Sequence, residues 1–237
     1  MKIAGILFDK DGTLLDYHRT WMPVNRKAAL AAAGGEPALG DRLLALAGYD
    51  SVRDRVRSGS PLAAWSNAEI AELWAAELPG SSGAAITTLI EAIFVEDSQT
   101  GAVPVTDLAV LFGRLKAHGL TLGVATHDSR AGAEGSLAPF GVLDQLDFVA
   151  GYDSGHGTKP GPGMVQGFCA VTGLRPSDVA VVGDNLHDLD MGRSAGAGLL
   201  VGVLTGTSGE EELAAHADHV LDDICALEAL LERLGCL

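Results

Sequence analysis

Short apolar runs recur along the chain and alternate with segments that have helical periodicity. Each run is five or six residues long and is bounded by polar or turn-forming residues. Continuous apolar runs of this length are typical of strands buried on both faces of a parallel sheet. We therefore predict strands at 3–8, 120–125, 146–150, 179–183 and 199–204.

The segments between these strands carry the start and stop signals of helices. The segment 105–118 is one example, and Gly119 is placed to end it as a C-terminal glycine. Short apolar strands that alternate with helices indicate an α/β fold. The predicted architecture is a Rossmann-like parallel sheet with helices on both faces.

Residues 17–100 follow a different pattern, with several helices and few strand-like runs. Ser66 and Glu69 have the spacing of a capping box, which predicts a helix at 67–78. A second helix is predicted at 84–97. This stretch is therefore predicted to be an inserted helical cap domain rather than part of the sheet.

Two domains follow from this difference in pattern. Residues 1–16 and 101–237 are predicted to form the α/β core, and residues 17–100 the helical cap. The second boundary rests on Gly101 and Pro104, which interrupt the helical pattern. A helical insert directly after the first strand is expected to cover the carboxyl ends of the strands.

Chemically active side chains are found just past four of the predicted strands. In an open parallel sheet, ligands bind outside the carboxyl ends of the strands. Residues at these positions are therefore candidates for a single site. The candidates are Asp9, Asp11, Thr126, Lys159, Asp184 and Asp188.

This combination of residues suits phosphoryl transfer. A carboxylate can attack an anionic phosphate only if positive charge neutralises both partners. Mg²⁺ prefers oxygen ligands, which Asp9, Asp184 and the backbone carbonyl of Asp11 could supply. Lys159 would act as a point charge beside the phosphate, and the Thr126 hydroxyl would donate a hydrogen bond to it.

Asp11 has a second predicted task. A carboxyl group two residues from the nucleophile can protonate the leaving group and later accept a proton from the attacking water. Gly12 would give the loop its backbone freedom, and Thr13 is expected to hold the loop by a hydrogen bond.

Four motifs resemble those of the haloacid dehalogenase-like phosphatases. They are DKDGTLLD at 9–16, ATHD at 125–128, TKPGP at 158–162 and GDNLHDLDMGRSAGA at 183–197. Their order and spacing fit the family over the whole chain, including the gap where members carry a helical cap. The resemblance is closest to the phosphoglycolate phosphatase-like branch.

The resemblance implies a covalent mechanism. An aspartyl-phosphate would form on Asp9 and then be hydrolysed, with Asp11 acting first as acid and then as base. The implied catalytic residues are Asp9, Asp11, Thr126 and Lys159. The implied metal ligands are Asp9, Asp11, Asp184 and Asp188. The last of these would either bind the metal through water or anchor Lys159.

The implied substrate-binding residues are Thr126, His127 and Lys159. His127 departs from the family pattern, which has a small polar residue there. Its backbone amide would still bind phosphate. Its ring could equally be a partly buried structural side chain or contact the substrate. Asp188 and Asp190 are both expected to precede a helix, where Asp190 would stabilise the helix dipole.

Two other functions stay open beside a phosphatase of small phosphorylated metabolites such as phosphoglycolate or a sugar phosphate. One is a phosphosugar mutase of the same fold, and the other is a non-enzymatic phospho-acceptor domain. The helical insert and Asp11 disfavour the second. A dehalogenase is disfavoured because it attacks carbon and needs no protonating carboxylate two positions after its nucleophile.

The charge and composition of the chain limit the classes of binding partner that we expect. The net charge is −15 and the chain has no basic run, which disfavours nucleic acids and membranes as partners. The first apolar run is short and is followed by charged residues, so we predict no signal peptide. The three cysteines lack metal-ligand spacing and are expected to be reduced. We expect a cytoplasmic protein that is a monomer or a weak homodimer.

Overall fold

The computed structural model describes residues 2–98 and 101–237. The predicted start of the core at residue 1 and the predicted end of the insert at residue 100 lie outside the described residues. The chain forms two compact units. One consists of the residues up to Asp16 together with Pro104–Leu237, and the other is Tyr17–Val103.

The regular elements are numbered in chain order. The strands are β1 (Gly5–Phe8), β2 (Tyr49–Asp50), β3 (Arg55–Val56), β4 (Thr121–Ala125), β5 (Phe148–Ala150), β6 (Val179–Gly183), β7 (Leu199–Val203) and β8 (His219–Leu221). The helices are α1 (Tyr17–Ala32), α2 (Pro37–Leu46), α3 (Pro61–Ala64), α4 (Asn67–Ala75), α5 (Gly83–Ser98), α6 (Leu108–Ala117), α7 (Arg130–Leu137), α8 (Gly163–Thr172), α9 (Leu186–Ala195), α10 (Glu210–Ala214) and α11 (Leu227–Arg233). Short 3₁₀ turns occupy Ala138–Phe140, Leu143–Gln145, Pro176–Asp178 and Ile224–Ala226.

A parallel sheet forms the centre of the first unit. Within the described residues it has six strands, in the order β5-β4-β1-β6-β7-β8. Gly5 of β1 pairs with Thr121 of β4 on one side and with Val179 of β6 on the other. The chain runs outward from β1 in both directions, so right-handed crossovers place helices on opposite faces. The predicted Rossmann-like α/β fold is confirmed.

Burial explains why these strands could be predicted. Every residue of β1, β6 and β7 is buried, as expected for strands covered on both faces. Strand β8 was missed because it has only three residues, begins with His219 and is half-buried throughout. It lies at the edge of the sheet, where a long apolar run is not required.

The second unit has a hydrophobic core of its own. Trp74 is buried at its centre, and the indole Nε1 donates a hydrogen bond to the carbonyl of Leu43 at 3.0 Å. Helix α4 begins at the predicted capping box, in which Ser66 and Glu69 satisfy each other's backbone amides. The helix ends at Ala75, three residues before the predicted end.

This unit also contains a β-pair that the sequence analysis missed. Strands β2 and β3 are antiparallel, and Tyr49 pairs with Val56. Each strand has only two residues, which is too short to produce a recognisable alternation. Among the described helices, none has both the length and the apolar composition needed to cross a bilayer.

Helix α9 begins earlier than predicted. Asp188 and Asp190 were expected to precede the helix, but both lie inside it, since it starts at Leu186. Asn185 is the N-cap residue and its side chain accepts a hydrogen bond from the amide of His187. Because Asn185 caps the helix, Asp188 occupies its first turn.

Candidate active site

Asp9 is the first residue after β1, at the carboxyl edge of the sheet. Its amide donates to the carbonyl of Val182 at 2.8 Å, which extends the pairing of β1 with β6. The residue is only 8% exposed. Oδ1 accepts a hydrogen bond from Lys159 at 2.6 Å, whereas Oδ2 is buried and has no partner among the described residues. Asp9 therefore presents one uncommitted oxygen on a rigid backbone.

The Lys159 side chain connects two motifs. Its Nζ lies 2.6 Å from Asp9 Oδ1 and 2.5 Å from Asp188 Oδ1, and all three side chains are buried. The second oxygen of Asp188 accepts the amide of Asn185 at 3.1 Å. Asp188 thus completes the cap of α9 and holds Lys159 at the same time. Of the two roles predicted for Asp188, these contacts correspond to the anchoring of Lys159. Binding of a metal ion by Asp188 through water stays a prediction.

Asp184 follows β6 and lies in a crowded setting. Its Oδ2 accepts a hydrogen bond from the amide of Thr207 at 3.0 Å. A Cβ on Gly206 would lie 1.7 Å from that oxygen, and a Cβ on Gly12 would lie 2.6 Å from Asp184 Cγ. Gly12 also has φ +90°, which favours glycine. The two glycines make room for the Asp184 carboxylate.

Three carboxylates of this site could hold a metal ion. Ligand oxygens of Asp9, Asp184 and Asp188 lie within 4.8 Å of one another, and all three residues are buried. A set made only of oxygens suits a hard divalent cation. Such a cation would satisfy Asp9 Oδ2, which lacks a hydrogen-bond partner within residues 2–98 and 101–237. The residues present therefore fit a divalent metal ion.

The pKa shifts reflect the excess of buried negative charge. Burial raises the pKa of Asp9 to about 7, and Asp188 adds to the increase while Lys159 opposes it. Burial also raises the pKa of Asp184 well above its usual value, helped by the charges of Asp9 and Asp188. For Lys159, burial lowers the pKa, but Asp188 and Asp9 outweigh it and leave the pKa raised. The Lys159 ammonium pairs with two of the three clustered carboxylates, so negative charge stays in excess and the site favours a further cation.

Thr126 and Asp11 lie in the loops that follow β4 and β1. The amide of Thr126 donates to the carbonyl of Ala150 at 2.9 Å. Its hydroxyl accepts the amide of Asp128 at 3.1 Å, so the hydroxyl proton can be donated elsewhere. The carboxylate of Asp11 is partly exposed and pairs with Lys10 Nζ at 2.7 Å. Thr126 is therefore held by strand β5 and by its own loop, and Asp11 by the neighbouring Lys10.

The ring of His127 has a structural contact. Its Nε2 lies 3.3 Å from the carbonyl oxygen of Lys159, and its ring meets that of His187 edge-on at 6.0 Å. Burial lowers the pKa of His127, and the charge of Lys159 adds to this. A neutral ring with Nε2 protonated would donate to the carbonyl. A substrate contact of His127 stays a prediction.

The loop after β7 also contacts the site, although it is not among the residues predicted from the sequence. The hydroxyl of Thr205 donates to the carbonyl of Gly12 at 2.6 Å, and the amide of Thr207 donates to Asp184. A signal was present, because this Thr-Gly-Thr segment directly follows a predicted strand. The rule that ligands bind past the carboxyl ends of the strands also predicts a role for this segment, because it follows the fifth predicted strand.

Two expectations about single side chains need correction. The Thr13 hydroxyl was expected to hold the first loop, but it is buried with no hydrogen-bond partner among the described residues. The loop is held instead by the bond from Thr205 and by the Gly12 amide, which donates to the Leu15 carbonyl at 2.7 Å. Asp190 was expected to act on the helix dipole, but it lies beyond the first turn of α9, where that effect falls off. Its Oδ1 lies 3.0 Å from the ring nitrogen Nδ1 of His216.

Comparison with known proteins gives consistent matches. A model of the haloacid dehalogenase-like hydrolases matches residues 3–196. An N-acetylmuramic acid 6-phosphate phosphatase of Pseudomonas aeruginosa is 26% identical over 238 residues, covering 100% of this chain and 98% of that protein. A phosphoglycolate phosphatase of Salmonella typhimurium is 26% identical over 247 residues, covering 98% of this chain and 93% of that protein.

Solved structures agree on the fold. The crystal structure of a predicted phosphoglycolate phosphatase from Haemophilus somnus 129pt superposes with a TM-score of 0.73. The two chains are 21% identical, and the superposition covers 97% of this chain and 98% of the other. At this level of identity the likeness supports the fold alone.

Proposed function

The chain belongs to the haloacid dehalogenase-like hydrolase family, and from this premise we propose that it is a Mg²⁺-dependent phosphatase of small phosphate monoesters. The family match confirms the resemblance that the four motifs indicated. One observation carries the proposal. Asp9 has a buried Oδ2 without a hydrogen-bond partner in the described part of the chain, while its Oδ1 is held by the buried ammonium of Lys159. A carboxylate that only capped a strand end would have both oxygens satisfied.

The first half-reaction transfers the phosphoryl group to the protein. A carboxylate oxygen of Asp9 attacks phosphorus, and a new P–O bond forms as the ester P–O bond breaks. Asp11 donates its proton to the departing oxygen, so that the product leaves as an alcohol. Lys159 and the Thr126 hydroxyl stabilise the charge on the transferring group.

The second half-reaction regenerates Asp9. Asp11, now ionised, accepts a proton from a water molecule, and the water oxygen attacks phosphorus. The aspartyl-phosphate bond breaks and inorganic phosphate leaves. Asp9 and Asp184, with the backbone carbonyl of Asp11 and with Asp188 close by, would hold Mg²⁺, which offsets the charge of carboxylates and phosphate.

The substrate class is inferred from the relatives. N-acetylmuramic acid 6-phosphate and phosphoglycolate both carry a carboxylate as well as a phosphate, and phosphatases of these two compounds are among the curated relatives. We therefore propose that the substrate is a small phosphate ester that carries a carboxylate, either a phosphoglycolate-like compound or a sugar phosphate with an acid group.

The helical insert is proposed to select among such esters. Its removal should flatten the substrate ranking, provided that the remaining core stays folded.

A substrate panel tests the proposal. The protein is assayed for release of inorganic phosphate from phosphorylated metabolites, with Mg²⁺ and with excess chelator. We expect Mg²⁺-dependent turnover and the highest kcat/KM for esters that carry a carboxylate. Full activity in excess chelator contradicts the proposal. An isomerised phosphosugar without phosphate release would indicate a mutase, and a single phosphorylation without turnover would indicate a phospho-acceptor.

Trapping experiments test the nucleophile. Borohydride reduction during turnover should modify Asp9, and Asp9→Asn should abolish turnover. Asp190→Asn is a matched control, because Asp190 pairs with His216 and has no proposed role in the reaction. It should keep its activity. Persistent turnover in Asp9→Asn would overturn the assignment.

A further inference from the structure

Lys10 is buried between two carboxylates. Its side chain is 1% exposed, and Nζ lies 2.7 Å from Asp11 Oδ2 and 3.3 Å from Asp128 Oδ2. Lysine is almost never fully buried unless it is paired. Burial lowers the pKa of Lys10, but the two carboxylates outweigh it and leave the pKa above its usual value. The proposed reaction uses Asp11 but has so far given no task to Lys10 or Asp128.

Asp128 is held by hydrogen bonds of its own, although its side chain is 36% exposed. Its amide donates to the hydroxyl of Thr126 at 3.1 Å, and its carbonyl accepts the amide of Tyr152 at 3.0 Å. Its Oδ1 accepts the amide of Ser129 at 2.7 Å, which leaves Oδ2 directed to Lys10. Its position is therefore set by the loop that follows β4.

Asp11 needs such a restraint more than Asp9 does. The Asp9 side chain is only 10% exposed and is held by Lys159, whereas that of Asp11 is 23% exposed. Proton transfer requires the acid to lie within hydrogen-bond reach of the leaving oxygen. An ammonium group fixed by Asp128 restricts the Asp11 carboxylate to fewer orientations.

We propose that Lys10 is a positioning residue that orients the Asp11 carboxyl group for proton transfer, with Asp128 as its anchor. Its ammonium group donates to Asp11 Oδ2 both when Asp11 is ionised and accepts a proton and when the other oxygen carries the proton that is donated. This inference rests on the proposed phosphatase function. Lys10 itself does not contact the reacting atoms. The positive charge of Lys10 is needed to pair with both carboxylates. Its long side chain is needed to reach Asp11 from the side on which Asp128 lies.

The leaving group distinguishes positioning from simple structural support. Alkyl phosphates need a proton on the departing oxygen, whereas aryl phosphates with acidic phenols need it much less. General acid–base catalysis typically raises the reaction rate about 10²–10⁴-fold. A misplaced acid should therefore lower the rate mainly on alkyl substrates, which depend on it most. We expect Lys10→Met to lower kcat/KM for both substrate types, with a loss on alkyl phosphates that is at least about tenfold larger than the loss on aryl phosphates. Lys10→Arg should recover part of the loss.

A double variant tests whether Lys10 acts through Asp11. In an Asp11→Asn background, Lys10→Met should cause no further selective loss on alkyl phosphates, because the acid is already absent. Lys116→Met is the matched control, since Lys116 pairs with Asp147 at 2.7 Å on the surface of the same unit. It should leave the ratio of alkyl to aryl activity unchanged.

Defined outcomes overturn the inference. Equal losses on both substrate types in Lys10→Met, or a full additional selective loss in the Asp11→Asn background, would show that Lys10 does not position Asp11. If Lys10→Met does not fold, Asp128→Asn provides the test, because it weakens the anchor of Lys10 but keeps the charges of Lys10 and Asp11. It should lower alkyl activity selectively, and an equal loss again contradicts the inference. Failure of the phosphatase proposal is seen separately, as absent turnover in the unmodified protein or activity in Asp9→Asn.

Discussion

Lys159 and Asp188 form a buried ion pair in which Nζ lies 2.5 Å from Oδ1. The same ammonium group lies 2.6 Å from Asp9, so one positive charge offsets two neighbouring carboxylates. Removing one partner of a buried pair leaves an uncompensated charge, which is far more costly than the loss of a surface pair. The stability of the core unit therefore depends on a residue of its proposed active site.

The first prediction concerns Lys159→Met. We expect the variant to be inactive and to lose about 3–5 kcal/mol of unfolding free energy at pH 8 without divalent cations. Added Mg²⁺ should restore part of that stability, since it would supply positive charge to the same carboxylates. Urea denaturation with and without Mg²⁺ measures both effects. The surface variant Lys116→Met should lose only about 0–1 kcal/mol, and an equal loss in the two variants would contradict the prediction.

Asp9→Asn should separate activity from stability. The raised pKa of Asp9, about 7, means that the folded protein disfavours the ionised carboxylate. A neutral amide of nearly the same shape removes this penalty above pH 7. We expect turnover to be lost while the melting temperature at pH 8, without divalent cations, rises above that of the unmodified protein. A clearly lower melting temperature would show that the carboxylate is stabilising despite its burial.

Cation binding should depend on pH. Because burial raises the pKa of Asp9 to about 7, this carboxyl is largely protonated at pH 6 and largely ionised at pH 8. A cation binds the ionised form, so binding releases protons and affinity rises with pH over this range. Titration calorimetry with Mg²⁺ in buffers of different ionisation enthalpy measures both quantities. Equal affinity at pH 6 and pH 8, with no proton release, would be inconsistent with the raised pKa.

Gly206 should tolerate no side chain. A Cβ there would lie 1.7 Å from Asp184 Oδ2, so Gly206→Ala must displace the carboxylate or the loop. We expect weaker Mg²⁺ binding and at least tenfold lower kcat/KM, consistent with the roughly 10²-fold cost of a 1 Å misplacement in an active site. Gly209→Ala is the control, because nothing lies within 4 Å of a Cβ at that position. Comparable losses in both variants would mean that the loop, rather than the Asp184 contact, is responsible.

The sheet could be predicted because its signals are local. A strand buried on both faces must be apolar throughout, as β6 is, and this is visible within five residues of sequence. The edge strand β8 and the pair β2–β3 carry no such signal, since they are short and partly exposed. Their pairing depends on neighbours brought close by the fold, and no local pattern records it.

The chemical groups at the strand ends can be read from the sequence, because parallel strands present those ends at one edge of the sheet. The hydrogen-bond and ion-pair partners of these groups depend on the folded arrangement. Lys159 reaches Asp9 across 150 positions of sequence, and Lys10 between two aspartates is buried because Asp128 approaches it from another loop. Burial and partner choice depend on residues far apart in the chain. The Asp9 oxygen that has no partner among the described residues and the pairing of Asp11 with Lys10 could therefore be seen only in the folded protein.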